Sequence, residues 1–295
     1  MKEAEGKIAF ITGGASGIGL GMAQVFLRGG MKVVIADIRQ DHLDAALQRL
    51  KQYHGAVHGI QLDVTDRGAM SAAADETERV FGKVHVLCNN AGVSSLIPMD
   101  TASYEDWDWI VGVNLGGVIN GIVTFVPRIK RHGDGGHIVN TASMAGLTPV
   151  PSWGGIYSTT KFAVRGLSDS LRATLGPYNI GVTTLCPGHT RSNIGESEKV
   201  RPPTLASAGG AAAPQRSIAH TGMDPVHLGE AVLRAIERND GYVLAHAENR
   251  HSVEAEFRDI LSYFADETVT DPDRLASMAA FEAQFNEAKA KQQRG

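Results

Sequence analysis

Cysteine is scarce: the 295 residues contain two, Cys88 and Cys186, each closing a short apolar run, "VHVLC" and "VTTLC". Thiols in such places read as buried and free. They leave no disulfide framework and no zinc pattern, so a reducing, cytoplasmic location is the default expectation. No apolar run of about 18 residues stands out, and the chain is read as having no membrane span. Its opening "MKEAEGKIAFITGG" carries no signal-peptide cleavage pattern. An excess of positive charge is lacking too, with 28 Lys plus Arg against 32 Asp plus Glu and a formal charge of −4. Nucleic acid is therefore not an expected partner. Eleven histidines are present, yet His54 and His58, at i,i+4 spacing, are interrupted by Gly55 and Gly59. With no third ligand nearby, no metal site is expected.

Ordinary globular material remains: 43% hydrophobic and 20% charged residues, ample for a large core. Short β-branched runs alternate with helical patterns. The strand candidates are 7–12, 32–37, 57–64, 84–90, 137–143, 180–187 and 241–246. Most are apolar on both faces, as parallel strands covered by helices on both sides must be. Between them lie helical stretches such as "DHLDAALQRLKQY" and "RGAMSAAADETERVF". The expected fold class is α/β, a Rossmann-type doubly wound parallel sheet of about seven strands with right-handed crossovers. One Rossmann-type domain is expected over residues 1–246. Within it, residues 189–222 hold four Gly and three Pro and read as a substrate-side excursion, since loops of that length are functional or disordered. Residues 247–295 read as a helical extension on the same domain or a partner subunit, because Val253, Phe257, Ile260, Leu261 and Phe264 fall on one helical stripe.

The first strand runs into "ITGGASGIGLGMAQVF", where Gly13, Gly17 and Gly19 follow Thr12 as TGxxxGxG. Glycines at that spacing let the backbone turn tightly beneath a pyrophosphate, which then rests on the helix N-terminus near Ser16, Gly17 and Ile18. The second strand ends at Asp37, 18 residues beyond Gly19. A carboxylate there accepts from both adenosine ribose hydroxyls and repels a 2′-phosphate, so NAD is expected over NADP. Ile38 follows at the same edge. Arg39 dissents, since a guanidinium can hold a phosphate; it is read as lying near the adenine edge or as solvated. The third strand ends at Asp63-Val64 and the fourth at "NNAG", 89–92. In a doubly wound sheet these C-terminal ends lie beside the ligand, which adds Asn90, Ala91 and Gly92. An asparagine amide there can equally tie neighbouring loops together.

Tyr157 and Lys161 in "GGIYSTTKFAV" share one helix face by their spacing. Spacing alone gives proximity, not chemistry. Together, however, TGxxxGxG, NNAG, a serine near the end of the fifth strand, YxxxK and a following "PG" resemble the short-chain dehydrogenase/reductase family over residues 6 to about 246. The resemblance implies a catalytic group of Asn114, Ser143, Tyr157 and Lys161. It also places Pro187, Gly188, Thr190 and Ser192 of "CPGHTRSN" against the cofactor. Thirteen residues separate Ser143 from Tyr157, one more than is usual in the family, and the insert falls in "TPVPSW" beside the expected substrate. The segments "YEDWDWIVGVNLGGVINGIVTFVPRI", "MKVVIADIRQDHLD" and "TRSNI" are further similar to the Cα-dehydrogenases of bacterial lignin β-aryl ether breakdown, which oxidise a benzylic alcohol to a ketone with NAD and also carry a C-terminal extension.

In that chemistry a hydride leaves carbon for the cofactor while the protein takes the hydroxyl proton. Tyr157 would be the general base, with Lys161 and the oxidised nicotinamide lowering its pKa by an amount worth about 2.7 kcal/mol. The family resemblance has Lys161 also bond the nicotinamide ribose, Ser143 donate to the substrate oxygen, and Asn114 anchor a water leading to Lys161. A bare reading of Asn114 is a polar residue bonded to backbone within a helix. Ser94, Leu96, Ser143, Trp153 and Ile194 flank the expected aryl alcohol site, with Trp153 able either to stack on a ring or to pack a loop. His189 is not needed as an extra acid. Another ketone reductase, a steroid or sugar-alcohol dehydrogenase, or a regulatory dinucleotide-binding protein remain alternatives at this point. The resemblance also implies a homodimer or homotetramer paired through the helices bearing Asn114 and Tyr157.

Overall fold

The computed structural model describes residues 3–208, 221–265 and 269–293. Seven strands alternate with helices: β1 (Ile8–Thr12), α1 (Gly17–Arg28), β2 (Lys32–Asp37), α2 (Gln40–Arg49), β3 (Val57–Gln61), α3 (Arg67–Phe81) and β4 (Val86–Asn89). Then come α4 (Tyr104–Val111), a π-helical turn (Gly112–Gly116), α5 (Gly117–His132), β5 (Gly136–Thr141), α6 (Gly155–Leu175), β6 (Ile180–Leu185), α7 (Pro225–Arg238) and β7 (Tyr242–Val243). Two helices follow, α8 (Arg250–Ser262) and α9 (Pro272–Gln293). All strand pairs are parallel, in the order β3-β2-β1-β4-β5-β6-β7. The doubly wound sheet is thus as expected, and its order reverses between β1 and β4, where such folds open a ligand crevice.

Alternation within each strand builds two cores. Ala9, Ile11, Val33, Ile35, Val86 and Cys88 face α1, α2 and α7, meeting Met22, Phe26, Leu43 and Val232. Phe10, Val34, Ala36, Leu87 and Ile138 face the other way, onto Met70, Phe125 and Ile129. Both faces are covered by helices, which is why the middle strands are mainly apolar on both sides. Cys88 and Cys186 are buried and free.

The structure shortens the last strand and places the apolar helix and the C-terminal stripe. The final strand covers two residues rather than 241–246, because Leu244 turns outward, 54% exposed. The chain does contain a helix long and apolar enough to span a bilayer, the continuous rod Tyr104–His132. In this fold it is a core element whose inner face, with Val118, Gly121, Phe125 and Ile129, is buried. Of the C-terminal stripe, Val253 and Phe257 meet the domain, the Phe257 ring lying 5.4 Å from the Arg165 guanidinium. Val253 packs beside Val118, Leu147 and Val164, whereas Ile260, Leu261 and Phe264 are exposed.

Candidate active site

The glycine turn is built by conformation and by closeness. Gly13 and Gly17 have φ of 61° and 48°, which side-chain-bearing residues rarely adopt. A Cβ on Gly13 would lie 2.9 Å from Ala91 Cα, and one on Gly17 would lie 2.8 Å from Ser192 Cβ. Gly19 lies against the Gly13 carbonyl, leaving no room for a side chain. Ser16 precedes α1 without a side-chain cap bond, so the first amides of the helix face the crevice as an anion-binding end. Thr12 and Asn90 hold the turn. Thr12 Oγ1 accepts from the Asn90 and Ala91 amides at 2.9 and 3.0 Å. Asn90 Nδ2 donates to the carbonyls of Thr12 and Gly13 at 3.0 and 3.2 Å. Asn90 is thus a scaffold for the turn, the loop-tying role left open by the sequence.

At the end of β2, Asp37 accepts from the amides of Ala15 and Arg39 at 3.3 and 3.1 Å. Burial raises its carboxyl pKa above the usual value, against those two backbone bonds. Arg39 lines the cavity beside Asp37, partly exposed and ion-paired. Its Nε donates to Asp41 Oδ1 at 2.9 Å, Nη2 also bonds Asp41, and Nη1 is 3.5 Å from Glu196 Oε2. Asp63 ties the β3 end by accepting from the amide and hydroxyl of Thr65 at 2.8 and 2.7 Å.

A cavity of about 490 Å³ runs across these strand ends. Gly13, Ser16, Gly17, Ile18, Asp37, Ile38, Arg39, Asp63, Val64, Asn90, Ala91 and Gly92 line one end, with Pro187, Gly188, Thr190 and Ser192 beside them. Ser143, Tyr157 and Lys161 share the same cavity, and Ser94 and Ile194 open onto it. Leu96 and Trp153 do not line it, and Trp153 is 50% exposed. The glycines before Tyr157 are closely packed. A Cβ on Gly154 would lie 2.5 Å from Val150, and Gly155 abuts Met99.

The catalytic candidates converge from three elements. Ser143 follows β5, and its Oγ accepts from the Ala145 amide at 3.1 Å. Tyr157 and Lys161 lie one turn apart on α6. Lys161 Nζ donates to the Thr141 carbonyl at 2.9 Å and lies 5.4 Å from the Tyr157 ring centroid. The expected lowering of the Tyr157 pKa by Lys161 is not what the chain's own groups produce. Burial raises the phenol pKa, opposed by a hydrogen bond with Ser143. Burial likewise pushes Lys161 down to about 8. Asn114 sits in the π-helical turn with no exposed surface. Its Oδ1 accepts from the Val93 amide at 2.8 Å, and Nδ2 donates to the Val93 carbonyl at 2.9 Å and to Thr160 Oγ1 at 3.2 Å. Its amide therefore pins the β4–α4 loop to α6.

Other site-building residues gave no sequence signal. His246, at the end of the last strand-like run, accepts from the Gly188 amide on Nδ1 at 3.0 Å, and its Nε2 lies 3.4 Å from Thr190 Oγ1. His189 projects to the surface. The excursion is a cover as far as residue 208, while residues 209–220 lie outside the described residues. Within it, Arg201 Nη2 meets Asp106 Oδ1 of α4 at 2.5 Å with both side chains buried, and its guanidinium lies 4.7 Å from the Trp109 ring. Trp109, Val113, Val200 and Leu205 make the far end of the cavity apolar. Among the described residues no group of three or more metal-ligating side chains occurs.

A phenol flanked by a hydroxyl and an ammonium can exchange a proton with a carbinol or carbonyl oxygen, and the adjoining turn fits a dinucleotide pyrophosphate. The protein is therefore an oxidoreductase acting on CH–OH groups. It belongs to the short-chain dehydrogenase family, whose model matches residues 7–201. It is 41% identical over 271 residues to the C alpha-dehydrogenase of Sphingobium sp. (strain NBRC 103272 / SYK-6), covering 90% of this chain and 88% of that one. A short-chain dehydrogenase structure from Novosphingobium aromaticivorans superposes with a TM-score of 0.85 at 41% identity, covering 99% of this chain and all of that one. One from Burkholderia phymatum, in complex with NAD, gives a TM-score of 0.85 at 32% identity over 92% of this chain and 100% of its own.

Proposed function

We propose that the protein oxidises the benzylic Cα hydroxyl of arylglycerol-β-aryl ethers to the ketone, using NAD. The carrying observation is the two-ended cavity. Its glycine turn and Asp37 suit an adenosine ribose without a 2′-phosphate, and its other end is walled by Trp109, Val113, Val200 and Leu205, as an aryl group requires. Similarity to the Sphingobium C alpha-dehydrogenase over 90% of the chain supports the substrate class, and the NAD complex of the Burkholderia relative supports the cofactor.

Bound NAD supplies the hydride acceptor for the carbinol carbon. The Tyr157 oxygen takes the hydroxyl proton, and Ser143, which lines the same cavity, donates to the substrate oxygen as negative charge grows on it. Tyr157 must lose its proton against the pull of burial, so positive charge at Lys161 matters most while substrate and cofactor are in place. The Thr141 carbonyl fixes where that charge sits. Asn114 holds the loop that forms the cavity roof. The test is to mix protein, NAD and a guaiacylglycerol-β-guaiacyl ether and follow reduced-cofactor absorbance. Absence of turnover with every stereoisomer rejects the substrate assignment.

Assembly is part of the same reading. α5 and α6 leave Ile119, Val123 and Phe162 exposed, and pairing of two copies over these helices would cover them. Light scattering giving a monomer rejects it.

A further inference from the structure

The excursion after β6 does more than roof the substrate end. Its short 3-10 helix, Ile194–Val200, is fastened at both ends of the cavity. On one side Ser197 Oγ accepts from the Ser94 amide at 3.0 Å, and Glu198 Oε1 accepts from Ser95 Oγ at 2.6 Å. On the other, Glu196 reaches Arg39 across the strand ends at 3.5 Å. Arg39 is already held by Asp41 through two of its nitrogens. Arg39 is the lone guanidinium among the lining residues at the Asp37 end, so its engagement decides what that end offers an incoming phosphate. With Asp37, Asp41 and Glu196 set against Arg39 and the Glu196-bound Lys199, carboxylates outnumber cations there.

We propose that Asp41 and Glu196 are positioning residues for cofactor choice: by occupying the Arg39 guanidinium they withhold the one guanidinium lining that end from a 2′-phosphate, so discrimination against NADP is shared between Asp37 and the cover. Each ion pair is partly exposed and is worth little to stability by itself. Their effect is on availability. A guanidinium with its fork satisfied by a carboxylate cannot also present that fork to phosphate. Because Glu196 rides on the segment that walls the substrate end, substrate-side changes in the cover reach the cofactor's adenosine end through Arg39.

This inference rests on the NAD reading above, and the experiment separates the two. NAD+ and NADP+ are titrated calorimetrically into the wild type, Asp41→Asn/Glu196→Gln, and the same double variant with Arg39→Ala. The double variant is expected to bind NADP+ about tenfold more tightly, the yield of one charge-assisted contact, with NAD+ affinity changed less than about twofold. Arg39→Ala should erase the gain, and added salt should shrink it, since an exposed cation–phosphate contact is screened. A wild type that prefers NADP+ overturns both readings. A wild type that prefers NAD+ with NADP+ affinity unmoved in the double variant overturns this inference alone. So does an equal gain for both cofactors, or a gain that survives Arg39→Ala, because either reports a loosened cover and not a released guanidinium.

Discussion

Lys161 and Tyr157 lie one helical turn apart with the lysine Nζ 5.4 Å from the phenol ring centroid, while that same Nζ donates to the Thr141 carbonyl at 2.9 Å. The lysine is thus held by β5 and not by its neighbour on the helix. Both groups are pushed toward their neutral forms by burial, and the cost of keeping charge here is set against catalysis.

Tyr157→Phe removes the proton acceptor and little else, since the ring and its packing remain. Turnover is expected to fall by at least about 10³-fold, the range of a lost general base, with NAD affinity within about threefold of wild type by titration. Retained turnover would mean that another group takes the proton.

Lys161→Met is expected to stabilise the protein without added cofactor while abolishing activity. The Lys161 pKa in the fold, about 8, lies below its ordinary value of 10.5, so the folded state disfavours the ammonium. Below pH 8 the wild type carries the full burden. Between pH 8 and 10.5 the burden disappears as the folded lysine deprotonates first, and stability rises with pH. The variant should therefore unfold at a higher temperature at pH 7, by an amount reflecting about 1–3 kcal/mol, with the gap closing by pH 10. A gap that widens with pH contradicts the assignment.

The sheet was legible because its middle strands are mainly apolar on both sides: "KVVIAD" places Val33 and Ile35 in one core and Val34 and Ala36 in the other, a pattern that periodicity detects directly. The turn was legible because Gly13 and Gly17 need positive φ, a local demand. What stayed hidden was long-range side-chain pairing. The Arg201–Asp106 contact joins residues 95 apart, and nothing in either neighbourhood announces the other. Likewise, the ion pairs of Arg39 were hidden because its partners, Asp41 and Glu196, include one 157 residues away. The upward pull on the Tyr157 pKa depends on depth of burial, which a spacing of four residues does not encode.

Asp37→Ala removes the carboxylate at the β2 end together with its bonds to the Ala15 and Arg39 amides. NAD affinity should fall about tenfold, the loss of charge-assisted hydrogen bonds to a ribose, and the preference over NADP should narrow. An unchanged ratio of the two dissociation constants would remove Asp37 from cofactor selection.

Arg201→Met leaves Asp106 buried without its guanidinium, keeping only the Ser103 amide at 2.8 Å and the Ser207 hydroxyl at 3.1 Å. Burial raises the Asp106 pKa, but those bonds and Arg201 together hold it below the ordinary carboxylate value. Removing one partner of such a pair costs about 3 kcal/mol, so the melting temperature should drop and the substrate KM should rise as the cover loosens. The double variant Arg201→Met/Asp106→Asn should recover part of the lost stability, because no uncompensated carboxylate is then buried. A double variant less stable than Arg201→Met alone would show that the pair is not what secures the cover.

The two tryptophans near the substrate end separate a wall from a bystander. Trp153 is half exposed and outside the cavity lining, whereas Trp109 is 2% exposed, lines the cavity and stacks beneath Arg201. Trp153→Ala should change KM for the aryl ether by less than about twofold, as expected for a surface site clear of buried contacts. Trp109→Phe keeps an aromatic wall but trims it, and should raise KM by about 3- to 10-fold, the effect of a partly lost apolar contact, with kcat moved less. Steady-state kinetics on both variants decide the matter. A large KM effect at Trp153 with none at Trp109 would place the aryl group against the Ser143–Tyr157 loop instead of α4.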